Sequence, residues 1–269
     1  MKISLVENTK KDYDGRVKQA VMDAFSGKAE IEVCSSRVEK SMFEHTDIAV
    51  VLGGDGTIIR TAKAAAFYGV PVFGINLGKI GFLAGAEVYE IPKMAQRILS
   101  GTYSIEKRMM LNVMVKGERG MKTTALNEVA ITRASYLKMI DVNISVDGEF
   151  LDTFIADGAV ISTPTGSTAY SLSAGGPVVE PGMELCLVTP ICAYDMQSRS
   201  IVLPANKQIT FTIGAKTPFE ALCSVDGQDH IKIHRGDKIT VSKSNYYTQL
   251  ITMGNRSFYS VLRKKMGKR

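Results

Sequence analysis

Asp55 stands in the run Val50-Val51-Leu52-Gly53-Gly54-Asp55-Gly56-Thr57, a carboxylate flanked by three glycines directly behind an apolar stretch. Glycine tolerates positive φ and has no side chain to hold an approaching group away. Backbone this bare admits a phosphate or a ribose. An anionic carboxylate there would repel phosphate unless Mg²⁺ intervened or a hydroxyl proton were its target. The plainer alternative is a tight turn whose Asp only caps a helix.

A second constellation runs from Asp157-Gly158 through Ser162-Thr163-Pro164-Thr165-Gly166-Ser167-Thr168-Ala169-Tyr170-Ser171-Leu172-Ser173-Ala174-Gly175-Gly176-Pro177. An apolar strand stops abruptly in a segment crowded with hydroxyls and small residues. Pro164 and Gly166 enforce a turn, and Thr165 or Ser167 can cap a helix starting near Thr168. Backbone donors, short hydroxyls and the face of Tyr170 suit a nucleotide, whereas a simple cap would not need so many consecutive hydroxyls. Asn127-Glu128 forms a third candidate, a polar pair between the strand-like Thr124-Ala125-Leu126 and Val129-Ala130-Ile131. Its amide and carboxylate can read ribose hydroxyls or an adenine edge, although an exposed strand edge is the commoner reason for such a pair.

The elements that position these groups follow from periodicity. Asp47 to Leu52 reads as a buried parallel strand and Thr57 to Ala66 as the helix behind it. The glycines therefore occupy a strand-to-helix turn, the edge of an open α/β sheet where ligands bind. Strands at Ile3–Val6, Ile31–Cys34 and Val70–Ile75, with helical spacing from Asp12 to Phe25 and near Ile91 to Leu99, predict an α/β domain with a parallel sheet over residues 1–101. Beyond Gly101 the pattern changes to period two at Leu111–Val115, Asp141–Val146, Gln208–Ile213 and Lys238–Val241, with a type I′ turn at Asp147-Gly148. A mostly antiparallel, sandwich-like β domain is expected over 102–254, and a tail over 255–269, helical at Phe258–Arg263, can pack back on the first domain.

Other chemistries are poorly served. Gly74-Ile75-Asn76-Leu77-Gly78-Lys79-Ile80 lacks the spacing and the hydroxyl of a Walker loop, and no GxGxxG follows the first strand. His230 and His234 are four apart, but Ile231, Lys232 and Ile233 alternate as a strand, which separates the imidazoles by roughly 13 Å, too far to share one ion. His45 stands alone. Cys34, Cys186, Cys192 and Cys223 form no CxxC pair and read as small buried apolar residues rather than zinc ligands or disulfides.

The 269 residues, 45% hydrophobic and 22% charged, suffice for two soluble domains. The opening Met1 to Val6 is too short an apolar stretch for a signal peptide or membrane span, so no membrane association and a cytoplasmic location are expected. Net charge +6 fits an anionic ligand. Much of the excess lies in Arg263-Lys264-Lys265-Met266-Gly267-Lys268-Arg269, which a solvated helix end explains equally well, and no nucleic-acid motif accompanies it.

Taken together the motifs resemble the NAD kinase family. Gly53 to Thr57 matches its GGDGT motif, Asn127-Glu128 its NE pair, and Asp157-Gly158 with Ser162 to Pro177 its long STPTGSTAYSLSAGGP stretch. Lipid kinases of the diacylglycerol and sphingosine type and phosphofructokinases carry turns like GGDGT; the long stretch discriminates. The resemblance implies phosphorylation of the 2′-hydroxyl of the adenosine ribose of NAD by ATP, with a divalent cation, Mg²⁺, in attendance. It implies Asp55 as proton acceptor or Mg²⁺-organising carboxylate, and Gly53, Gly54, Gly56 and Thr57 along the phosphate approach. Arg60 and Lys138 would be basic partners for phosphates. Asn127, Glu128, Asp157, Thr168, Ala169, Tyr170 and Ser173 would bind the dinucleotide, with Gln228 at a later family position. Similar proteins form homodimers or homotetramers. Many bacterial members read close to TPICPHSLSNRPIV where this chain has Thr189 to Val202: Arg199 survives, but Pro-His becomes Ala193-Tyr194 and the second proline Ser200. The rivals are a lipid kinase and a regulator that binds NAD without turnover.

Overall fold

The computed structural model describes the chain apart from Ser36, Glu118, Arg119, Tyr136, Leu137, Lys216, Pro218, Phe219, Asn255, Lys268 and Arg269. Two compact units emerge, Met1–Arg108 with Tyr246–Arg269, and Met109–Asn245. These bounds differ from the expected 101/102 and 254/255 because each falls inside a long continuous strand.

In the first unit, β1 (Lys2–Glu7), α1 (Arg16–Phe25), β2 (Glu30–Ser35), β3 (Ile48–Gly53), α2 (Asp55–Ala65), β4 (Val72–Asn76), β5 (Ala86–Glu87) and α3 (Ile91–Leu99) follow one another. The strands pair in parallel in the order β2-β1-β3-β4, with β5 beside β4. β3 and β4 are buried along their whole length, which is why they read as continuous apolar runs rather than alternating ones. α3 buries Ile91, Met94, Ala95 and Ile98, the i, i+3, i+4, i+7 stripe of a helix laid on a core. α1 begins at Arg16 rather than Asp12. Gly15 adopts a left-handed conformation before it, and the Asp12 carboxylate accepts from Val17 N and Lys18 N at 3.2 and 2.8 Å, so Asp12 serves the first turn from outside. Phe25, Phe73 and Leu52 are fully buried in this core, each contributing roughly 1.5–3 kcal/mol.

The second unit contains most of β6 (Ser104–Lys116), then β7 (Met121–Ala125), β8 (Glu128–Arg133), β9 (Ile140–Val146), β10 (Glu149–Ala156), β11 (Gly158–Ser162), the short α4 (Tyr170–Ser173), β12 (Leu185–Ile191), β13 (Ile201–Pro204), β14 (Ile209–Ile213), β15 (Ala221–Val225), β16 (Asp229–Ile233) and the first part of β17 (Lys238–Thr252). One antiparallel sheet runs β13-β12-β11-β8-β15-β16; β10, β9, β14 and β17 form a second. Asp147 and Gly148 take φ of 52° and 86° between β9 and β10, the expected type I′ hairpin. His230 lies in β16 and His234 follows it, as the alternation predicted. The chain closes with α5 (Phe258–Met266), capped by the Ser257 hydroxyl, which accepts from Ser260 N. This helix belongs to the first unit, where Phe258 lies 6.0 Å from the Phe82 ring and Arg256 pairs with Glu87 and Glu90. Of the basic tail, Lys268 and Arg269 lie outside the described residues.

Candidate functional site

In the first unit three loops meet at the carboxyl ends of the neighbouring parallel strands β1, β3 and β4, the edge where open α/β sheets bind ligands. The loop after β3 is Gly53 to Thr57. Gly54 is extended and Asp55 is the first residue of α2. Gly53 has to be glycine, since a Cβ there would come within 2.7 Å of the Thr57 side chain. The loop after β4 wraps the carboxylate: Phe82 N donates to Asp55 Oδ2 at 3.0 Å and Leu83 N to Oδ1 at 3.2 Å. A Cβ on Gly81 would sit 2.0 Å from Asp55 Oδ1, so only glycine lets this loop close. An ionised carboxylate offers about four lone-pair positions. Two are spent on these amides, which fixes the orientation and leaves acceptor capacity for a hydroxyl proton or a cation. A carboxylate that merely capped α2 would accept from α2's own amides, and Asp55 instead serves a loop 27 and 28 residues away. Gly56 is exposed, and a Cβ there would meet nothing within 4 Å. The loop after β1 contributes Asn8, whose Nδ2 donates to Thr57 Oγ1 at 3.1 Å, and Lys11, whose Nζ would be 2.8 Å from a Cβ on Gly54. Arg60, one turn further along α2, is half-buried.

In the second unit Asn127 lies in the turn between β7 and β8 and Glu128 opens β8, which is central, flanked by β11 and β15. The exposed-edge explanation fails, because Glu128 is 6% exposed. The turn is tied down from outside: Asp226 accepts from the backbone N–H groups of Leu126, Asn127 and Glu128 at 3.1, 2.7 and 3.1 Å. Asp226 and Gly227 have φ of 51° and 66°, the hairpin turn that also carries Gln228. Thr163 N donates to Asn127 O, and Gly166 lies so close that a Cβ on it would be 2.1 Å from the same oxygen.

The hydroxyls of the long stretch do other work than expected. Residues Thr165–Thr168 form a 3-10 turn and Tyr170–Ser173 a single helical turn, neither with a side-chain cap. Ser167 Oγ instead accepts from Val179 N at 3.0 Å and reaches Val179 O at 3.2 Å, and Ser171 pairs with Thr189. Thr163 Oγ1 donates to Leu126 O and accepts from Gly166 N. A capped helix would have used one hydroxyl; this segment uses several to hold an irregular backbone against the sheet, since buried polar groups must find partners. Among the described residues, the buried Oδ1 of Asn127 and the hydroxyls of Ser162 and Thr165 are left without partners. Thr168 and Ala169 are half-buried, while Tyr170 and Ser173 are exposed. Although Tyr170 as a whole is exposed, partial burial of its phenol pushes it above its ordinary value, as do the nearby Cys192, Asp157 and Glu128. Asp157 is not an open carboxylate: Arg133 Nε meets its Oδ1 at 2.7 Å and Arg133 Nη2 its Oδ2 at 3.2 Å. Lys138 is exposed in the loop before β9, and no contact ties it to these groups among the described residues. Cys34, Cys186 and Cys223 are buried, but Cys192 is exposed with φ 47°, so it is not one of the small core residues the sequence suggested.

Residues 5–103 match the ATP-NAD kinase N-terminal domain and residues 126–253 the ATP-NAD kinase C-terminal domain. An NAD kinase of Natranaerobius thermophilus is 41% identical over 84% of this chain and 79% of its own length. One from Thermoanaerobacter sp. is 37% identical over 100% of this chain and 99% of its own. The chain belongs to the NAD kinase family. It is therefore a phosphotransferase. Among solved structures, an NAD kinase from Archaeoglobus fulgidus in complex with ATP is 29% identical with a TM-score of 0.81, covering 98% of each chain. Yeast NADH kinase complexed with NADH has a TM-score of 0.87 at 24% identity, covers 99% of this chain and 87% of its own, and shares the fold.

Sequence reasoning missed Asn8, Lys11, Gly81, Arg133 and Asp226. Gly81 follows the run Gly74 to Ile80, whose glycines and apolar residues lack the spacing and hydroxyl of a Walker loop, and a glycine behind an apolar strand was the signal that could have found it. Asp226 was legible as Asp226-Gly227 between two alternating strands, the same signal as Asp147-Gly148. Arg133 carried none, since its partner is 24 residues away.

Proposed function

We propose that this NAD kinase family member transfers the terminal phosphoryl of ATP to the 2′-hydroxyl of the adenosine ribose of NAD, giving NADP. The observation that carries the reading is the Asp55 carboxylate, oriented by the Phe82 and Leu83 amides beside a bare glycine turn. The ribose oxygen attacks the terminal phosphorus, its proton passes to Asp55, and ADP leaves. Phosphoryl transfer asks chiefly for positioning and charge neutralisation, which Gly53, Gly54, Gly56 and Thr57 serve by letting phosphates approach, with Arg60 and Lys138 as basic partners. Asn127, Glu128, Thr168, Ala169, Tyr170, Ser173 and Gln228 would hold the dinucleotide. Asp157 would join them with its orientation fixed by Arg133.

Among the described residues no group of three or more His, Cys, Asp or Glu could hold a metal ion. Mg²⁺ would arrive on ATP, the usual habit of this ion at phosphates, with Asp55 as the carboxylate that would meet it. No helix of the described residues is long and apolar enough to cross a membrane. A cytoplasmic homodimer or homotetramer completes the reading. The lipid-kinase and regulator alternatives are not favoured, since the relatives over the full chain are NAD kinases.

The test couples purified protein, Mg²⁺, ATP and NAD to an NADP-specific dehydrogenase, with diacylglycerol phosphorylation in parallel. NADP appearing only in the complete mixture is expected. Silence there with lipid phosphorylation, or NAD binding without turnover, would overturn the reading.

A further inference from the structure

Lys11 follows β1, three residues after Asn8, in a loop pinned onto the glycine turn: Asn8 N donates to Leu52 O at 3.0 Å, Lys11 N to Asn8 O at 2.9 Å, and the Asn8 amide to Thr57 Oγ1 at 3.1 Å. Its ammonium is carried to two glycines from different strands, and a Cβ would come within 2.8 Å of Nζ at Gly54 and 3.4 Å at Gly78. Asp12, the next residue, ties the same loop to the first turn of α1, so backbone and neighbours aim the lysine while its side chain stays exposed. No ion pair is formed by Lys11 among the described residues. The nearby Lys18, by contrast, is paired with Glu7 at 3.1 Å. A lysine held over bare backbone without a carboxylate partner retains three donors and a full charge for an incoming anion.

We infer that Lys11 clamps the phosphates of the phosphoryl donor, as a compact point charge closing the open side of the Gly54–Asp55 turn. This rests on the kinase reading and deepens it. Gly54 and Gly78 leave the backbone bare beneath the ammonium, and Gly78, at φ 157°, also holds a conformation that side chains rarely adopt. The clamp engages phosphate and not the ribose or base, so ATP and inorganic tripolyphosphate share it, and the acceptor does not.

The experiment compares wild type with Lys11→Met, which keeps the length of the chain, and Lys11→Arg, which keeps the charge. Lys11→Met is expected to raise KM for ATP and weaken tripolyphosphate binding, measured by calorimetry, by about 10- to 100-fold, the weight of a charge-assisted hydrogen bond. KM for NAD and the thermal midpoint should stay as in wild type, and Lys11→Arg should recover most of the loss. Unchanged ATP KM and tripolyphosphate affinity in Lys11→Met would overturn the clamp, as would an equal loss toward NAD. Failure of the kinase reading is seen separately, as absence of NADP in wild type, and the tripolyphosphate titration still decides the clamp.

Discussion

The turn at Asp55 and the turn at Thr163–Ser173 both end a buried strand, both depend on glycine, and are built on opposite plans. At Asp55 the strand is parallel, an ordinary helix follows, and the polar group of interest is held by amides from another loop while the backbone around it stays bare. At Thr163–Ser173 the strand is antiparallel, only one helical turn follows, and the hydroxyls of Thr163, Ser167 and Thr168 are consumed in holding the backbone itself. Glycine marks the contrast. Gly166 is jammed against Asn127, whereas Gly56 faces open space. One turn spends glycine on access to its chemistry, and the other spends it on packing that presents a surface.

The largest effect that sharpens this contrast is Asp55→Asn. The amide keeps the shape but loses the negative charge and the proton-accepting oxygen, so turnover should fall by roughly 10²–10⁴-fold while NAD binding by calorimetry stays near wild type. Near-normal NADP formation in that variant would remove Asp55 from the mechanism and leave the first turn as mere architecture. Next comes the pair of glycine substitutions. Gly166→Ala forces a Cβ to 2.1 Å from a backbone oxygen and should cost about 3 kcal/mol or more, read as a lower thermal midpoint. Gly56→Ala, in the first turn of α2, should cost no stability, gaining up to ~1 kcal/mol of helix propensity, and should instead raise KM for ATP. Equal thermal midpoints for the two variants would erase the distinction.

The same contrast explains how far the sequence could be read. The first turn was legible because its logic is local: an apolar run, three glycines and a helical period lie within twenty residues of one another, and periodicity alone places them at a sheet edge. What the sequence could not show was the loop that closes on Asp55, since the Phe82 and Leu83 amides carry no side-chain signature. The second turn was legible as unusual, but the cap expected from Thr165 or Ser167 is absent. Serines and threonines before a helix ordinarily cap it, but Ser167 serves Val179, twelve residues on, and Thr163 serves Leu126 across the sheet. The partner of Asp157 was not legible, because Arg133 lies on a neighbouring strand. Asn127-Glu128 looked like an edge because nothing in the run reveals that β15 covers β8 on its far side.

Ser167→Ala tests the consumed hydroxyls with a smaller effect. It leaves Val179 N and O without their buried partner, at about 1–3 kcal/mol, and should lower the thermal midpoint while activity per folded molecule is kept. A loss of NAD affinity exceeding the loss of stability would make Ser167 a ligand contact after all.

A separate test concerns pH and the sheet beneath the second turn. Cys186 in β12 and Cys223 in β15 are buried there, and burial pushes their thiols up to about 11 and about 12 from an ordinary 9.0; Cys34 in the first unit shifts upward too, through burial and then through Glu32. A thiol whose folded pKa exceeds its unfolded one keeps its proton in the folded state. The stability it supplies is whole below pH 9 and is lost as pH rises through the folded values, by ~1.4 kcal/mol per pH unit for each thiol inside its window. Alkaline exposure between pH 9 and 12 should therefore loosen β12 and β15 and speed their amide exchange, and Cys186→Ala with Cys223→Ala should flatten that part of the stability curve. Below pH 9 iodoacetamide should modify Cys192 alone, the exposed thiol beside the second turn. Prompt labelling of Cys186 or Cys223 at neutral pH would mean that this sheet opens readily, and that the hydroxyl-rich turn rests on a softer base than the glycine turn does.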